Sequence, residues 1–293
     1  MKGTIIRGRG SFYTVRDEYG NIYTLRARRR FRFEHITPLV GDRVDFTPPG
    51  QTEEQGWIDE ILPRSSICFR PPVANISLFC IVIAPKPEPD FLLVDKLLIY
   101  ASKQKLKTCL IVNKCDIDDS LYEKVCLQYK NAGTNIFRVS AVNAVGFDAV
   151  RDALKGNICC FSGQSGVGKS TLMNRMLRLE LETGEISGKI ERGKNTTRHS
   201  ELFTFDGFSV ADTPGFSLFE DIGEAEDPQE LQEYYPEFDQ YKELCRFQMC
   251  FHDHEPGCAV REAVNSGSIA SERYERYQIL LSQYKERWKN RYD

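Results

Sequence analysis

The stretch GQSGVGKST, from Gly163 to Thr171, constrains this chain more than any other. Gly163, Gln164, Ser165, Gly166, Val167, Gly168, Lys169 and Ser170 fit G-x-x-x-x-G-K-[ST]. The strand-like NICCFSG before them and the helix-like STLMNRMLR after them supply the required context. Glycines let the backbone curl until several N–H groups point at one phosphate chain, and the next helix adds the positive end of its dipole. Lys169 would reach the β- and γ-phosphates, the Ser170 hydroxyl would ligate Mg²⁺, and Thr171 completes the cradle. Such a loop usually follows the first strand of its domain, yet here more than half of the 293 residues precede it.

The segments around the loop identify the nucleotide. Asp212-Thr213-Pro214-Gly215 follows the strand pattern FSVA. Asp212 at a strand end can hold Mg²⁺ through water, and the Gly215 N–H can meet the γ-phosphate. Asn113-Lys114-Cys115-Asp116 closes the strand TCLIV. The Asp116 carboxylate can accept from guanine N1–H and N2–H₂, whereas adenine would leave it buried and unpaired. Asn113 and the Lys114 stem brace such a pocket, and Ser140-Ala141, ending NIFRVSA, offers a backbone N–H for guanine O6. Together these motifs predict GTP or GDP with Mg²⁺.

Their order is unusual. Ordinary small GTPases run phosphate loop, switch Thr, DxxG, NKxD, SA. This chain runs NKCD at 113, SA at 140, the phosphate loop at 163, Thr196 or Thr197, then DTPG at 212, a circular permutation of one fold. Domain termini lie at the surface and often close together, so permutation is tolerated. The alternation of strand and helix patterns from ISLFCIVIA (76–84) onward predicts a parallel α/β sheet. Ahead of it, FYTVRDEY, IYTL, GDRVDFTPPG and GWIDEILPR read as short strands with Gly/Pro punctuation, which suits a small OB-like β-barrel. Between Met1 and Phe46 there are ten Lys/Arg against five Asp/Glu, and Phe31 and Phe33 interleave with Arg28, Arg29, Arg30 and Arg32. That segment reads either as an RNA-facing surface or as a solvated charged loop.

After about residue 225 a polar Cys/His segment takes over. In CRFQMCFHDHEPGC, Cys245, Cys250, His252 and Cys258 lie within fourteen residues and can close a tetrahedral Zn²⁺ site, with His254 as a rival ligand. Four protein ligands leave no open position, so the metal would be structural. The little apolar sequence nearby suggests that it supplies much of the local folding free energy, roughly 10–16 kcal/mol of apparent binding. Beyond it, Tyr274, Tyr277, Leu281, Tyr284 and Trp288 recur at helical spacing. The reading preferred here packs that helix on its own domain, and contact with RNA is the alternative.

A leading OB-like barrel, a permuted GTPase and a C-terminal Cys/His module together resemble the bacterial small-subunit assembly GTPases of the RsgA (YjeQ) family, over nearly the whole chain. The resemblance implies three domains: a barrel at 1–70, a permuted GTPase domain at 71–222 and a zinc-binding, mainly helical domain at 223–293. It implies binding to the 30S ribosomal subunit and 16S rRNA, a role in late maturation, and GTP hydrolysis stimulated by the subunit. Its zinc ligands map onto Cys245, Cys250, His252 and Cys258, which favours His252 over His254.

The switch region GEISGKIERGKNTTRHSELF (184–203) reads as a mobile loop. Thr197, preferred over Thr196, would sense Mg²⁺ and γ-phosphate, and with Lys169 it forms the catalytic pair expected here. Phe216 stands where many GTPases place a water-orienting Gln, so slow intrinsic turnover and help from a partner are expected. The resemblance often puts His immediately before the Thr pair; here that residue is Asn195, and His199 follows four residues later. A non-catalytic, nucleotide-gated RNA-binding module is the competing reading.

Composition adds boundaries: 41% hydrophobic, 28% charged and net charge −3 suit a globular protein. The longest apolar run is too short for a bilayer, and the start MKGTIIRGRG has no apolar signal core. A cytoplasmic monomer is expected. In that compartment Cys68, Cys80, Cys109, Cys115, Cys126, Cys159 and Cys160 read as buried thiols.

Overall fold

Five strands near the N-terminus wrap into a closed barrel: β1 (Lys2–Arg9), β2 (Phe12–Asp17), β3 (Ile22–Ala27), β4 (Arg43–Thr47) and β5 (Gly56–Ile61). They pair in the order β1-β2-β3-β5-β4, and β4 returns to β1. Only β3 and β5 run parallel. This computed structural model describes residues 1–50, 55–69, 72–183, 201–205, 207–212 and 227–291, with only the backbone at 69, 177–183 and 212. The alternation seen in the sequence sends Ile5, Val15, Leu25, Val44, Phe46 and Ile58 inward. The β2–β3 turn is set by Asp17, whose carboxylate accepts from the backbone N–H groups of Tyr19 and Asn21 at 2.9 and 2.8 Å. Gly20 there takes φ +87°, which a side chain would strain.

The Arg-rich segment is more structural than its composition suggests. Residues Arg30–Phe33 form a single helical turn, α1, which drops Phe31 into the barrel core and leaves Phe33 exposed. Arg28 pairs with Asp59, and Arg30 donates to the Asp59 carbonyl. Arg29 and Arg32 stay exposed. A short hairpin that sequence reading did not resolve, β6 (Ile67–Phe69) with β7 (Pro72–Ala74), follows the barrel.

From β8 (Leu78–Ile83) the chain builds a second system. It continues through α2 (Phe91–Lys103), β9 (Lys107–Val112), α3 (Ser120–Gln128), β10 (Asn135–Arg138), α4 (Phe147–Leu154), β11 (Ile158–Ser162) and α5 (Lys169–Thr183) to β12 (Glu201–Phe205) and β13 (Phe208–Asp212). The strand order is β10-β9-β8-β11-β13-β12, with all neighbours parallel except β12, which runs against β13. Every residue of β8 is buried. Phe79, Ile81 and Ile83 join one core with Val94, Leu97 and Leu98 of α2 and Val125 of α3. Leu78, Cys80 and Val82 join the other with Val150 of α4 and Leu172 and Met176 of α5. A strand covered on both faces must be apolar throughout, which is why its sequence lacks alternation.

Three expectations change. The segment 184–203 does not read as loop to its end, because Glu201 starts β12 and Leu202 is buried. The alternation ELFTF was masked by the Lys/Arg/Gly run before it. Cys115 and Cys126 are only half-buried, whereas the other five scattered cysteines are buried.

The third change concerns the C-terminal region. It consists of 3₁₀ turns at Pro228–Tyr234, Pro236–Phe238 and Lys242–Leu244, then α6 (Ala259–Asn265) and α7 (Ser271–Lys289). It has a core of its own: Leu231, Tyr235, Phe238, Val260, Ile269, Tyr277, Leu280 and Leu281, with Ile99 of α2. Most of that apolar surface comes from α7 and the 3₁₀ turns on either side of the Cys/His loop rather than from the loop itself, so reading the loop alone missed it. Of the α7 stripe, Tyr274, Tyr277, Leu281 and Tyr284 are buried inward, as the packing reading expects, whereas Trp288 is only half-buried. Among the described residues no helix is long and apolar enough to cross a membrane.

Phe79 is fully buried and its ring lies 5.8 Å from Tyr100. Phe79→Ala is expected to cost about 3–5 kcal/mol of stability, read from the midpoint of denaturant unfolding at unchanged slope.

Candidate nucleotide site and metal centre

The order in which strands are added reverses between the parallel neighbours β8 and β11. The chain moves outward from β8 to β10, returns to β11, then proceeds the other way to β13. Ligands of open α/β sheets bind at the carboxyl ends of the strands at such a switch point. Here those ends are Ile83, Val112, Arg138 and Ser162, and they lead into residues 84–90, NKCD, SA and the phosphate loop.

One buried side chain joins three of these segments. Asn113 is 1% exposed. Its Nδ2 donates to the Val167 carbonyl at 2.9 Å, and its Oδ1 accepts from the Ala141 N–H at 3.2 Å. Lys114, at φ +63°, donates from Nζ to the carbonyls of Gly166 and Lys86 at 2.7 and 2.6 Å. Its aliphatic stem is thereby laid along the loop. The Asp116 carboxylate accepts from the Ser140 hydroxyl, and that hydroxyl accepts from the Asn143 N–H at 3.1 Å. This fixes one Asp116 oxygen and the SA turn together. Gly146, at φ +80°, closes the turn where a Cβ would sit 2.0 Å from the Arg138 carbonyl oxygen.

The loop's glycines are dictated by contact. A Cβ at Gly163 would lie 2.1 Å from the Val82 carbonyl oxygen, and one at Gly168 would lie 2.5 Å from Asn113 Nδ2. Lys169 opens α5 and its ammonium bridges the carbonyls of Gly163 and Gln164, both at 2.7 Å. Burial pushes its pKa down, since a half-buried ammonium is poorly solvated. Ser165, Gly166, Ser170 and Thr171 are exposed at the loop and first turn, while Val167 is fully buried. Gln164, which the motif leaves unspecified, holds the neighbouring turn: its Nε2 donates to the Glu88 carbonyl at 3.1 Å and its Oε1 accepts from the Asp90 N–H at 3.0 Å.

The structure thus brings NKCD, SA and the phosphate loop into one contiguous set. Of the expected switch residues, Asp212 ends β13 beside β11 and is described by its backbone alone. Asn195, Thr196, Thr197, His199, Gly215 and Phe216 lie outside the described residues.

The second site is in the C-terminal region. The ligand atoms of Cys245, Cys250, His252 and Cys258 all lie within 4.8 Å of one another. His252 Nδ1 stands 3.5 Å from Cys245 Sγ and 3.4 Å from Cys258 Sγ, and the two sulfurs are 3.9 Å apart. With Zn–S near 2.3 Å and Zn–N near 2.0–2.1 Å, tetrahedral edges come to roughly 3.8 Å between sulfurs and roughly 3.5 Å from sulfur to nitrogen. Those three separations match a tetrahedral Zn²⁺ site, and Cys250, whose sulfur lies within 4.8 Å of the other ligand atoms, supplies the fourth donor of a set that could hold the ion. The rival ligand His254 is solvent-exposed beside Asp253 and stands outside this cluster. Burial pushes His252 down to about 4 and the thiols of Cys250 and Cys258 up. A neutral imidazole is the form a metal needs, and a bound cation reverses the cost of the thiolates.

Residues that spacing did not identify organise this centre. The Gln232 carboxamide oxygen lies 2.7 Å from His252 Nε2, which leaves Nδ1 facing the sulfurs. The hydroxyls of Tyr274 and Tyr277 donate to the carbonyls of His252 and Phe251 at 2.6 and 2.8 Å. Cys258 also caps α6, its sulfur accepting from the Arg261 N–H. Helical spacing flagged both tyrosines as core, but nothing local marked their hydroxyls as supports.

Known proteins share this chain's sequence pattern and fold. The family model for the RsgA GTPase matches residues 61–221, and that for the RsgA N-terminal domain matches residues 2–58. The chain is 45% identical to the small ribosomal subunit biogenesis GTPase RsgA of Ruminiclostridium cellulolyticum, over 97% of this chain and 94% of that protein. It is 41% identical to the protein of the same name from a Geobacillus strain, over 98% of each. Among solved structures, YjeQ from Thermotoga maritima superposes with a TM-score of 0.82 at 32% identity, covering 97% of this chain and 98% of that one. YloQ, described as a circularly permuted GTPase, gives 0.77 at 29% identity, covering 98% and 95%.

Gln232→Ala removes the group that fixes the His252 tautomer without removing a ligand. It is expected to weaken zinc retention by about 10–100-fold, measured by competition with a chromogenic chelator; unchanged retention would show that Gln232 plays no part.

Proposed function

Because the chain belongs to the RsgA GTPase family, we propose that it binds GTP at the β8/β11 switch point, hydrolyses it to GDP and phosphate, and serves maturation of the small ribosomal subunit. The observation that carries the nucleotide part is the Asn113 carboxamide, which ties the phosphate loop to the SA turn while Ser140 holds Asp116. Phosphate groups at Gly163–Thr171 leave the base to lie over NKCD. There the free side of the Asp116 carboxylate accepts from guanine N1–H and N2–H₂, and the Lys114 stem flanks the ring. Lys169 then exchanges two loop carbonyls for phosphate oxygens. Its lowered pKa reflects the poor solvation that phosphate relieves.

Ser170, with Thr197 and Asp212, would hold Mg²⁺, which neutralises charge on the β- and γ-phosphates. Gly215 would meet the γ-phosphate. Phe216 has no group to orient water, so turnover is slow until the small subunit, or a group it orders, completes the site. The domains are a barrel at 1–70, the permuted GTPase at 71–222 and the Cys/His region at 223–293. In the last, Cys245, Cys250, His252 and Cys258 hold one structural zinc. Arg29, Arg32 and Phe33 give the barrel an exposed basic and aromatic edge for 16S rRNA. The relatives' names place them in small-subunit biogenesis, and this chain is expected to act there as a cytoplasmic monomer.

GTP turnover measured with and without 30S particles tests the reading. A low basal rate rising on the order of 10³-fold or more with the particles is expected; no cleavage in either condition would leave only a nucleotide-binding module. Asp116→Asn supplies a donor where the carboxylate accepted, so selectivity is expected to move from guanine toward xanthine nucleotides. Unchanged preference for GTP would contradict the base assignment.

A further inference from the structure

Helix α2 has two working faces. Val94, Leu97, Leu98 and Ala101 pack against the sheet, whereas Ile99 belongs to the C-terminal core. Between them, Asp95 is fully buried. Its Oδ1 accepts from Arg273 Nη1 at 2.5 Å and from the Tyr129 hydroxyl at 2.6 Å, and its Oδ2 accepts from Arg276 Nε at 2.6 Å. Arg273, itself 1% exposed, donates from Nε to Glu237 at 2.6 Å. Two guanidiniums of α7 and two carboxylates are thus locked between the nucleotide domain and the C-terminal region. A buried ion group of this kind is about as stabilising as apolar packing of the same volume, so its consequence is a fixed register rather than extra stability.

Both ends of this lock lead to a site. One turn before Asp95, α2 begins at its cap Asp90, whose side chain accepts from the Leu93 N–H. The Asp90 N–H is held by Gln164 of the phosphate loop, which also holds Glu88. At the other end, Arg273 is followed by Tyr274, and Arg276 by Tyr277. These tyrosine hydroxyls hold the His252 and Phe251 carbonyls in the Cys/His loop.

We propose that Gln164 and Asp95 are positioning residues that couple the phosphate loop to the C-terminal region through α2, so that nucleotide binding fixes the docking of α7 and docking raises nucleotide affinity. The two states are α7 docked, with Asp95 paired to Arg273 and Arg276, and α7 loosened. Phosphate groups fix Gln164 and hence the start of α2, which favours the docked state. Linkage requires the reverse effect of equal size. The proposal rests on the GTPase reading.

The test uses the full chain with its zinc retained, GDP with Mg²⁺ as probe, and two readouts: GDP affinity, and amide exchange across Ser271–Lys289. In the unaltered chain GDP is expected to slow exchange in α7 by about fivefold or more. Asp95→Asn is expected to weaken GDP binding by a similar factor and to abolish that slowing. Should Asp95→Asn not fold, Arg276→Gln breaks the lock at its more accessible edge and is expected to act in the same direction. Gln164→Ala is expected to abolish the slowing while leaving α7 exchange without nucleotide at the unaltered value. Exchange in α7 that ignores GDP in a chain that binds it would overturn the coupling and leave the GTPase reading standing. So would a response that survives in folded Asp95→Asn or Arg276→Gln. A chain that binds no GDP would overturn both.

Discussion

The amide of Asn113 is the contact on which the nucleotide site depends. It is buried at the end of β9, and it spends its donor on the phosphate loop and its acceptor on the SA turn. No apolar residue could serve both segments. Without it, the Val167 carbonyl and the Ala141 N–H would be left unpaired, at about 1–3 kcal/mol each. The same carboxamide explains a glycine: Gly168 has no room for a Cβ because Asn113 Nδ2 is there. Lys114 adds a second clamp on the Gly166 carbonyl. Base recognition and phosphate binding are therefore one rigid unit, although NKCD precedes the loop by some fifty positions.

Permutation has a structural consequence as well as a sequence one. With β8 central, the chain enters the sheet in its middle and leaves it from β13, beside the edge strand β12. The barrel precedes the sheet and also touches its far edge, where β1 pairs with β12 at Arg7 and Glu201 and the two side chains form an ion pair. The C-terminal region follows β13 and packs back on α2, the first helix of the permuted domain. Both flanking units thus pack on the one nucleotide domain, and α2 sits where the phosphate loop and the C-terminal core meet.

What was legible in the sequence follows from what is local. Phosphate-loop chemistry, the guanine motifs and the Cys/His spacing are each written in a few adjacent residues, and their order alone revealed the permutation. The strands β8, β9 and β11 were legible because burial on both faces forces an unbroken apolar run. Illegible were features whose partners are distant. Gln164 looks like any variable loop residue until Glu88 and Asp90 are beside it. Asp95 looks like a solvated helix charge until Arg273 and Arg276 of α7 cover it, some 180 positions later. The C-terminal core was underestimated for the same reason: its aromatics lie in α7 and in the 3₁₀ turns, not beside the cysteines. In the barrel, composition suggested four available arginines, but Asp59 engages two of them.

The central claim is that the two halves of a permuted sequence make a single GTP site. A structure of the chain with GDP and Mg²⁺ tests it directly. The account predicts the Asp116 carboxylate within hydrogen-bonding distance of guanine N1 and N2, while the Lys169 ammonium leaves the Gly163 and Gln164 carbonyls for a β-phosphate oxygen. A nucleotide whose phosphates fill the loop with its base away from Asp116, or one bound elsewhere on the chain, would contradict it.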